Sequence, residues 1–355
     1  MQIKKLYLKN FRNYKEQYVE FKDGLNVLYG QNAAGKTNML EAIYISALAK
    51  SPRTTKEKEL VLNGEKSAIV NVLVQKNLRT HKIEIQIDDK GKKRILIDSI
   101  PVNRAGELLG IVAIVYFSPD EMKLVKESPD NRRRFLDISL SQESKVYFNN
   151  LVRYNKILKQ RNNLLKQGYN DNIDAMLDVW DRQLATVGVE IIEKRREFID
   201  KLKTEAKKIH EFLSGGKEIL EIDYESELDE ISDKNLYLQL KKNREKDKKL
   251  TYTTVGPHRD DIKLTVNGND ARKFASQGQQ RSIALSLKFA QLELYKQETD
   301  EKPILLLDDV LSELDETRKA QLLELSSGCQ TILTCTEYEG KAAQKLNVVN
   351  GKINL

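Results

Sequence analysis

The first third of the chain alternates between apolar and polar residues, a pattern typical of strands that bury one face. Residues 3–8 alternate in this way, and residues 25–29 form a short apolar run that ends before a glycine. A helix is predicted from about residue 36 to residue 49. Further strand patterns follow at residues 68–75, 82–87, 94–97 and 111–117. This part is therefore predicted to be rich in β-structure.

The middle of the chain changes to a helical period. Between about residues 130 and 210 there is almost no strand pattern, and apolar residues recur at helical spacing. The stripe consists of Tyr147, Leu151, Tyr154, Leu158, Ile173, Leu177, Trp180, Leu184, Val187, Ile191, Phe198, Leu202 and Ile209. A turn at residues 167–171 divides it, Arg195 interrupts it, and residues 214–216 end it. Two long helices joined by a short loop predict an antiparallel pair that forms an arm.

After the arm, residues 241–249 form a charge run that predicts a solvated helix end or a linker. Strand patterns return at residues 262–266, 304–308 and 331–335, with helices predicted at 279–296 and 315–325. The sequence thus predicts two lobes. Residues 1–120 and 250–355 would form a lobe with a β-rich N-terminal part and an α/β core, and residues 121–249 an inserted all-helical arm lobe.

Residues 30–37 match the pattern GxxxxGK[ST] between a predicted strand and a predicted helix. The glycines let successive backbone N–H groups face phosphates, and the helix N-terminus adds positive potential. Lys36 is predicted to be catalytic and to reach the β- and γ-phosphates of ATP, and the Thr37 hydroxyl is predicted to hold Mg²⁺. The predicted nucleotide-binding residues here are Gly30, Gln31, Asn32, Ala33, Ala34, Gly35, Lys36, Thr37 and Asn38.

Two acids follow the apolar run at residues 304–307. A buried strand that ends in acids is the second element of a P-loop phosphate site. Asp308 is predicted to orient the Mg²⁺ shell, and Asp309 is predicted to polarise the attacking water as a catalytic residue.

Residues 276–282 open an amphipathic helix and are similar to the signature motif of ABC-type ATPases. Ser276, Gly278 and Gln279 are predicted to contact the γ-phosphate of ATP held by a second copy, so that ATP would bridge a homodimer. The simpler alternative is a capped helix start with Ser276 as the N-cap. Residues 312–315 resemble the D-loop of the same interface. The motifs together predict an ABC-type α/β P-loop ATPase head with the inserted helical arm and no long coiled coil.

These motifs, in this order, resemble the RecF family of SMC-like ATPases. The resemblance rests on residues 8–14, 118–120, 128–137, 256–261, 275–281, 306–309 and 312–315. It adds Arg12 and Asn13 to the predicted nucleotide site. It also implies sequence-independent binding to gapped or junction DNA, duplex and single-stranded, and a weak DNA-stimulated ATPase. The expected partners are RecR and, indirectly, RecO and RecA, in recombinational repair, replication restart and the SOS response.

The chain departs from the RecF pattern or from the wider ABC pattern at four positions. Glu127 stands where a glycine is usual in the RecF motif. Asp309, an aspartate as RecF proteins tend to have, is shorter than the glutamate common in ABC proteins, which predicts slow hydrolysis. Ser118 stands where a Mg²⁺-coordinating glutamine is usual. Thr334 or Thr336 would take the place of the switch histidine.

The net charge of +7 favours a polyanionic partner only modestly, because 60 Lys and Arg residues stand against 53 Asp and Glu residues. No motif for base readout is present, so DNA contacts would be to phosphates. Arg132, Arg133 and Arg134 are the predicted DNA contacts. The following clusters stay open as contacts or as solvated helix faces: residues 194–196, Lys201 with Lys203, residues 207–208, residues 241–249, Arg53, Lys56, Lys58 and Arg104.

Composition sets the remaining expectations. The chain has no apolar signal core and no apolar run of membrane-spanning length, which predicts a cytoplasmic protein without a membrane partner. Cys329 and Cys335 are predicted to be reduced core residues. Two alternatives share the P-loop: the ATPase subunit of a membrane transporter and a full SMC coiled-coil protein. The signature lacks the LSGGQ form of transporters, and the interval from Thr37 to Ser276 is too short for long coiled coils.

Overall fold

The computed structural model describes residues 1–167, 172–228 and 230–354. The predicted turn at 167–171 lies almost wholly outside these residues. The chain forms two compact units, which comprise residues 1–121 with 288–355 (unit 1) and residues 122–287 (unit 2).

Strands and helices follow the predicted periods closely. The strands are β1 (Gln2–Phe11), β2 (Tyr14–Glu20), β3 (Leu25–Tyr29), β4 (Ser67–Lys76), β5 (Arg79–Asp88), β6 (Lys93–Ile97), β7 (Ile100–Val102), β8 (Ile114–Phe117), β9 (Leu220–Glu225), β10 (Asp261–Val266), β11 (Asn269–Asp270), β12 (Ile304–Asp308), β13 (Thr331–Cys335), β14 (Gln344–Val349) and β15 (Lys352–Asn354). The helices are α1 (Lys36–Leu48), α2 (Lys123–Lys126), α3 (Pro129–Glu143), α4 (Lys145–Lys166), α5 (Ile173–Ser214), α6 (Asp233–Lys242), α7 (Arg244–Leu250), α8 (Ala271–Phe274), α9 (Gln277–Thr299) and α10 (Glu316–Leu325). The division between the units falls within α9.

Unit 1 contains two six-stranded sheets. The first has the order β2-β1-β4-β5-β6-β7 and is antiparallel, and the second has the order β15-β14-β3-β13-β12-β8. In the second sheet β14, β3, β13, β12 and the edge strand β8 run parallel, and β15 pairs antiparallel with β14. All residues of β12 and β13 are buried, as expected for central strands of a parallel sheet. The inward residues of both sheets and of α1 join one hydrophobic core.

Unit 2 is built around the 42-residue helix α5. Its buried stripe packs against α4 and α6, and Gly215 ends the helix in a left-handed conformation with φ of 64°. The predicted helical pair is correct for α4 and α5, and the residues before it form a separate helix, α3. Arg195 lies inside the apolar stripe because its guanidinium bonds Tyr147 Oη, Asp137 Oδ1 and the Pro257 carbonyl at 2.6–3.0 Å.

Two features of unit 2 differ from the sequence prediction. Residues 250–287 belong to this unit, because β10 pairs along its length with β9 and contacts α3. The charge run at 241–249 is only partly solvated, since Arg244 and Asp247 are buried in ion pairs. The sequence pattern did not predict β9, because its partner strand β10 lies about 40 residues further along the chain.

Candidate nucleotide-binding site

The loop at residues 30–37 lies between β3 and α1, where the phosphate-binding pattern requires it. Gly30 and Gly35 adopt φ values of 146° and 118°, which side chains disfavour. A Cβ at Gly30 would lie 2.3 Å from the Val348 carbonyl oxygen, and one at Gly35 would lie 2.7 Å from Asn13 Nδ2. Both glycines are therefore required by backbone conformation and by close approach.

Lys36 folds over this loop. Its Nζ donates to the carbonyl oxygens of Gly30 and Gln31 at 2.6 and 2.8 Å, and the residue is 8% exposed. Burial lowers the pKa of Lys36, while the acids Asp309 and Asp308 oppose that effect. The ammonium group is thus held at the loop by carbonyl oxygens that β- and γ-phosphate oxygens can replace.

Asp308 is the centre of a buried hydrogen-bond cluster at the end of β12. Its Oδ1 accepts from Thr37 Oγ1 and from Thr334 Oγ1, both at 2.8 Å. Its Oδ2 accepts from Tyr116 Oη at 3.1 Å, and burial raises the pKa of Tyr116, which keeps the hydroxyl a donor. A hydroxyl and a carboxylate in contact form the hard oxygen set that Mg²⁺ prefers, so the residues present fit this cation.

Asp309 differs from Asp308 in having an unused oxygen. Its Oδ1 is buried and, among the residues that the structure describes, has no hydrogen-bond partner. Its backbone has φ of 51°, and its N–H donates to Thr334 Oγ1 at 2.9 Å. A buried carboxylate oxygen without a partner needs an explanation, and an ordered water is one that suits its predicted role.

The asparagines brace the outside of the loop. Asn13 Nδ2 donates to the Ala34 carbonyl at 3.1 Å, and Asn38 Nδ2 donates to Asn13 Oδ1 at 2.9 Å. Arg12 instead makes a bidentate pair with Glu41 at 2.8 Å, so in this structure it stabilises α1. Sequence reasoning missed Glu41, a buried acid whose only signal was its position inside an apolar helix.

The signature residues lie in unit 2 at the start of α9. The Ser276 N–H donates to Gln279 Oε1 at 2.9 Å, and the Gln279 N–H donates to Ser276 Oγ at 3.3 Å. This reciprocal pair is a capping box, so the capped-helix alternative describes the monomer correctly. Ser276 is exposed and Gly278 half-buried, which leaves both accessible to a second copy.

The three consecutive arginines of α3 differ in their surroundings. Arg132 is 4% exposed, pairs with both oxygens of Asp261, and donates to the Leu124 and Glu127 carbonyls. This placement argues against Arg132 as a DNA contact, because its guanidinium is committed inside unit 2. Arg133 donates to the Asp260 carbonyl and pairs with Asp130, and Arg134 is exposed.

Comparison with known proteins agrees with this architecture. The family model described as RecF/RecN/SMC N terminal domain matches residues 2–350. The DNA replication and repair protein RecF of Lachnoclostridium phytofermentans is 46% identical over 96% of this chain and 94% of its own length. A solved structure described as the recombination mediator protein RecF with ATP, in the RecFOR pathway, superposes with a TM-score of 0.92, at 38% identity and covering 99% of this chain and 96% of that one.

More distant structures share the fold. The Smc head domain of Pyrococcus furiosus, with an extended coiled coil and bound to the C-terminal domain of ScpA, has a TM-score of 0.60 at 17% identity, covering 99% of this chain and 94% of that one. No helix in the described ranges is both long and apolar enough to span a membrane. The fold is that of an ABC-type ATPase head with a helical lobe, and the chain belongs to the RecF family of DNA replication and repair proteins.

Proposed function

We propose that this chain binds ATP and hydrolyses it slowly, and that ATP couples its dimerisation to DNA binding in recombinational repair and replication restart. The observation that carries the proposal is the contact of Thr37 with Asp308 at the phosphate-binding loop, together with the Asp309 oxygen that has no hydrogen-bond partner in the described part of the chain. The relative whose structure contains ATP matches the chain over nearly its full length. The transporter alternative has no comparable support.

Each residue of the site has a distinct role in this proposal. The N–H groups of the loop and Lys36 bind the phosphates, and Thr37 and Asp308 would hold Mg²⁺. Bound Mg²⁺ would neutralise charge on the phosphate oxygens. Asp309 orients a water through its unused oxygen and accepts its proton. The short side chain of Asp309 holds that water less closely than a glutamate would, which supports slow hydrolysis.

Dimerisation would follow from the signature residues. Exposed Ser276 and half-buried Gly278 and Gln279, at the start of α9, offer N–H and side-chain donors to a γ-phosphate. On binding it, Ser276 and Gln279 would exchange their mutual capping bonds for phosphate oxygens. ATP would thus join two copies, and duplex DNA near a single-strand junction would be clamped between them. RecR, RecO and RecA loading, and SOS induction, belong to this proposal through the family resemblance.

The DNA contacts in the proposal change with the structure. Arg134 becomes the principal candidate on α3, with Arg133 beside it, while Arg132 supports the helix. Arg134→Ala should weaken duplex binding and reduce the slope of log K against log salt by about one. Lys203→Ala is a matched control, because this exposed lysine is already paired with Asp200. Equal salt slopes for both variants would contradict the assignment of Arg134.

Sedimentation velocity tests the central proposal. Wild type and Lys36→Arg are compared without nucleotide, with ATP, and with ATP plus gapped duplex DNA. The expected result is that ATP converts wild-type monomer to dimer, that the variant stays monomeric, and that DNA co-sediments with the dimer. A wild-type protein that binds ATP yet stays monomeric with DNA present would refute the shared site built on Ser276.

A further inference from the structure

An exposed arginine–tyrosine stack lies on unit 2, outside the nucleotide site. The guanidinium carbon of Arg259 is 4.7 Å from the ring centroid of Tyr252. Tyr252 is 40% exposed, and Arg259 is also exposed. Arg259 Nε and Nη2 donate to the Thr253 carbonyl at 3.2 and 3.1 Å, which keeps the guanidinium over the ring. The pair therefore presents two stacked planar groups to solvent.

The loop that carries this pair is held by buried and half-buried side chains. Thr253 Oγ1 receives a bond from Arg161 Nη1 at 2.8 Å, and Asn162 Oδ1 accepts from the Thr253 N–H and hydroxyl at 2.8 and 2.7 Å. Asp247 Oδ1 accepts from the Thr254 N–H and hydroxyl at 3.0 and 2.7 Å. Both residues that flank Tyr252 on its C-terminal side are thus fixed from within the helical unit.

The same scaffold contains buried charges. Arg161, Asp181 and Asp247 are each 0% exposed, and Arg161 pairs with Asp181 at 2.6 Å and with Asp247 at 2.7 Å. Desolvation cancels much of the attraction in such pairs, so they add little net stability but demand one geometry. These buried pairs hold the exposed loop in one conformation, as a preorganised binding surface requires.

The far side of the loop is held equally firmly. His258 Nε2 lies 3.0 Å from the Thr253 carbonyl oxygen, and His258 Nδ1 lies 2.8 Å from Tyr154 Oη. Arg195 Nη1 donates to the Pro257 carbonyl at 2.6 Å. The backbone on both sides of Arg259 is therefore fixed. The contact of Arg259 with Tyr252 loses little conformational entropy when a ligand binds.

The chemistry of this surface selects a ligand class. Bases of single-stranded DNA stack on aromatic rings and guanidinium planes, whatever their sequence. Exposed Lys249, three residues before Tyr252, supplies a cation for a phosphate. Neighbouring Lys248 is already paired with Glu245 and Asp174, so the local acids are partly neutralised. Duplex DNA keeps its bases stacked on one another and would gain nothing from the tyrosine ring.

We propose that Tyr252 and Arg259, with Lys249 in the last turn of α7, form a base-stacking platform for single-stranded DNA. A base stacks on the exposed surface of the pair, and the adjoining phosphate meets Lys249. This inference rests on the proposed DNA-binding function and deepens it, because it assigns the single strand of a gap to Tyr252 and Arg259. The α3 arginines lie close to this surface, since Arg133 donates to the carbonyl of Asp260, the residue after Arg259.

The chain offers a matched control. Arg182 lies over Tyr237 at the same 4.7 Å, also in unit 2. There Asp178 accepts from both Arg182 Nε and Tyr237 Oη, and it also pairs with Arg244. Lys241 Nζ lies 5.9 Å from the centroid of the same ring, so this second site also carries cations. It differs in that Asp178 holds both the guanidinium and the tyrosine hydroxyl, which leaves the ring less free to receive a base.

Binding of labelled oligo(dT) and of blunt duplex is measured by fluorescence anisotropy with the full chain and ATP. The variants are Tyr252→Ala, Tyr252→Phe and Tyr237→Ala, each checked for folding by circular dichroism. Tyr252→Ala should weaken oligo(dT) binding on the order of tenfold, about 1.4 kcal/mol, and leave duplex binding unchanged. Tyr252→Phe keeps the ring and should bind like wild type, as should Tyr237→Ala. Quenching of 2-aminopurine in the oligonucleotide should be lost only in Tyr252→Ala.

Different failures have different meanings. If wild type binds duplex but Tyr252→Ala binds oligo(dT) as tightly as wild type, the platform is refuted and the proposed function stands. Equal losses in Tyr252→Ala and Tyr237→Ala would also refute it, because the effect would not be specific to this surface. If wild type binds neither DNA with ATP, the proposed function falls together with this inference.

Discussion

The hydroxyl of Thr334 forms hydrogen bonds with both Asp308 and Asp309. Thr334 is 0% exposed, donates to Asp308 Oδ1 at 2.8 Å and accepts from the Asp309 N–H at 2.9 Å. Thr334→Val keeps the shape of the side chain and removes both bonds. We expect this substitution to destabilise the protein and to slow hydrolysis while leaving ATP affinity nearly unchanged.

The magnitude follows from the two lost bonds. A hydrogen bond to a carboxylate contributes about 1.5–3 kcal/mol, and a buried N–H left without an acceptor costs about 1–3 kcal/mol. Asp308 keeps Thr37 and Tyr116 as donors, so the expected loss of unfolding free energy is at the low end, about 3 kcal/mol. Displacement of Asp309 by about 1 Å would reduce kcat on the order of 100-fold.

Urea denaturation and steady-state ATPase assays measure these effects, and nucleotide titration measures affinity. Thr331→Val is the matched control on the same strand. Within the described ranges the Thr331 hydroxyl makes only long contacts, to the Ser326 carbonyl at 3.4 Å and Cys329 Sγ at 3.6 Å. Thr334→Ser should restore activity, since it retains the hydroxyl. A Thr334→Val protein that is destabilised yet hydrolyses ATP at the wild-type rate would refute the coupling of Thr334 to catalysis.

Three further predictions concern Gly35, Arg161 and His258. Gly35→Ala should abolish ATP binding in a nucleotide titration, because its Cβ has no room, whereas Gly64→Ala, at φ of 88° with no atom within 4 Å, should bind ATP normally. Arg161→Met should lower the unfolding free energy in urea by about 3–5 kcal/mol, because it strands buried carboxylates; an unchanged midpoint would contradict this. Burial lowers the pKa of His258 to about 4, so its contribution to stability is present above pH 6.5 and is lost as pH falls towards 4. His258→Gln should therefore lose less stability than wild type between pH 7 and pH 4.5, and parallel stability curves would contradict that assignment.

The sequence was sufficient to predict those parts of the site whose residues lie close together in the chain. The loop at residues 30–37 and the acids at the end of β12 lie where the local pattern predicted them, because strand, turn and helix follow one another within a few residues. The helical arm was also predictable, since apolar residues at helical spacing fix which face is buried. Both cysteines are buried and free of disulfides, as predicted from their number and from the absence of a CxxC pair.

Contacts between distant segments were not predictable from spacing. Tyr116 reaches Asp308 across 192 positions, and Asp247 reaches Arg161 across 86. The boundary at residue 250 was misplaced for the same reason, because the pairing of β9 with β10 is a long-range contact. Polar residues in such clusters look like surface residues in a sequence until the partner that neutralises them is known.

The arginines of α3 show how such internal pairing affects the identification of a DNA-binding surface. Successive residues of a helix point about 100° apart, so adjacent arginines cannot all face the same partner. Arg132 faces Asp261 inside unit 2, and Arg134, about 200° further round, faces solvent. Some guanidinium groups of a basic run are already paired with an acid or a carbonyl inside the protein. The run in the sequence therefore suggests more positive surface than the folded protein exposes. The cations available to DNA are those left after that internal pairing, and Arg134 is one that remains exposed.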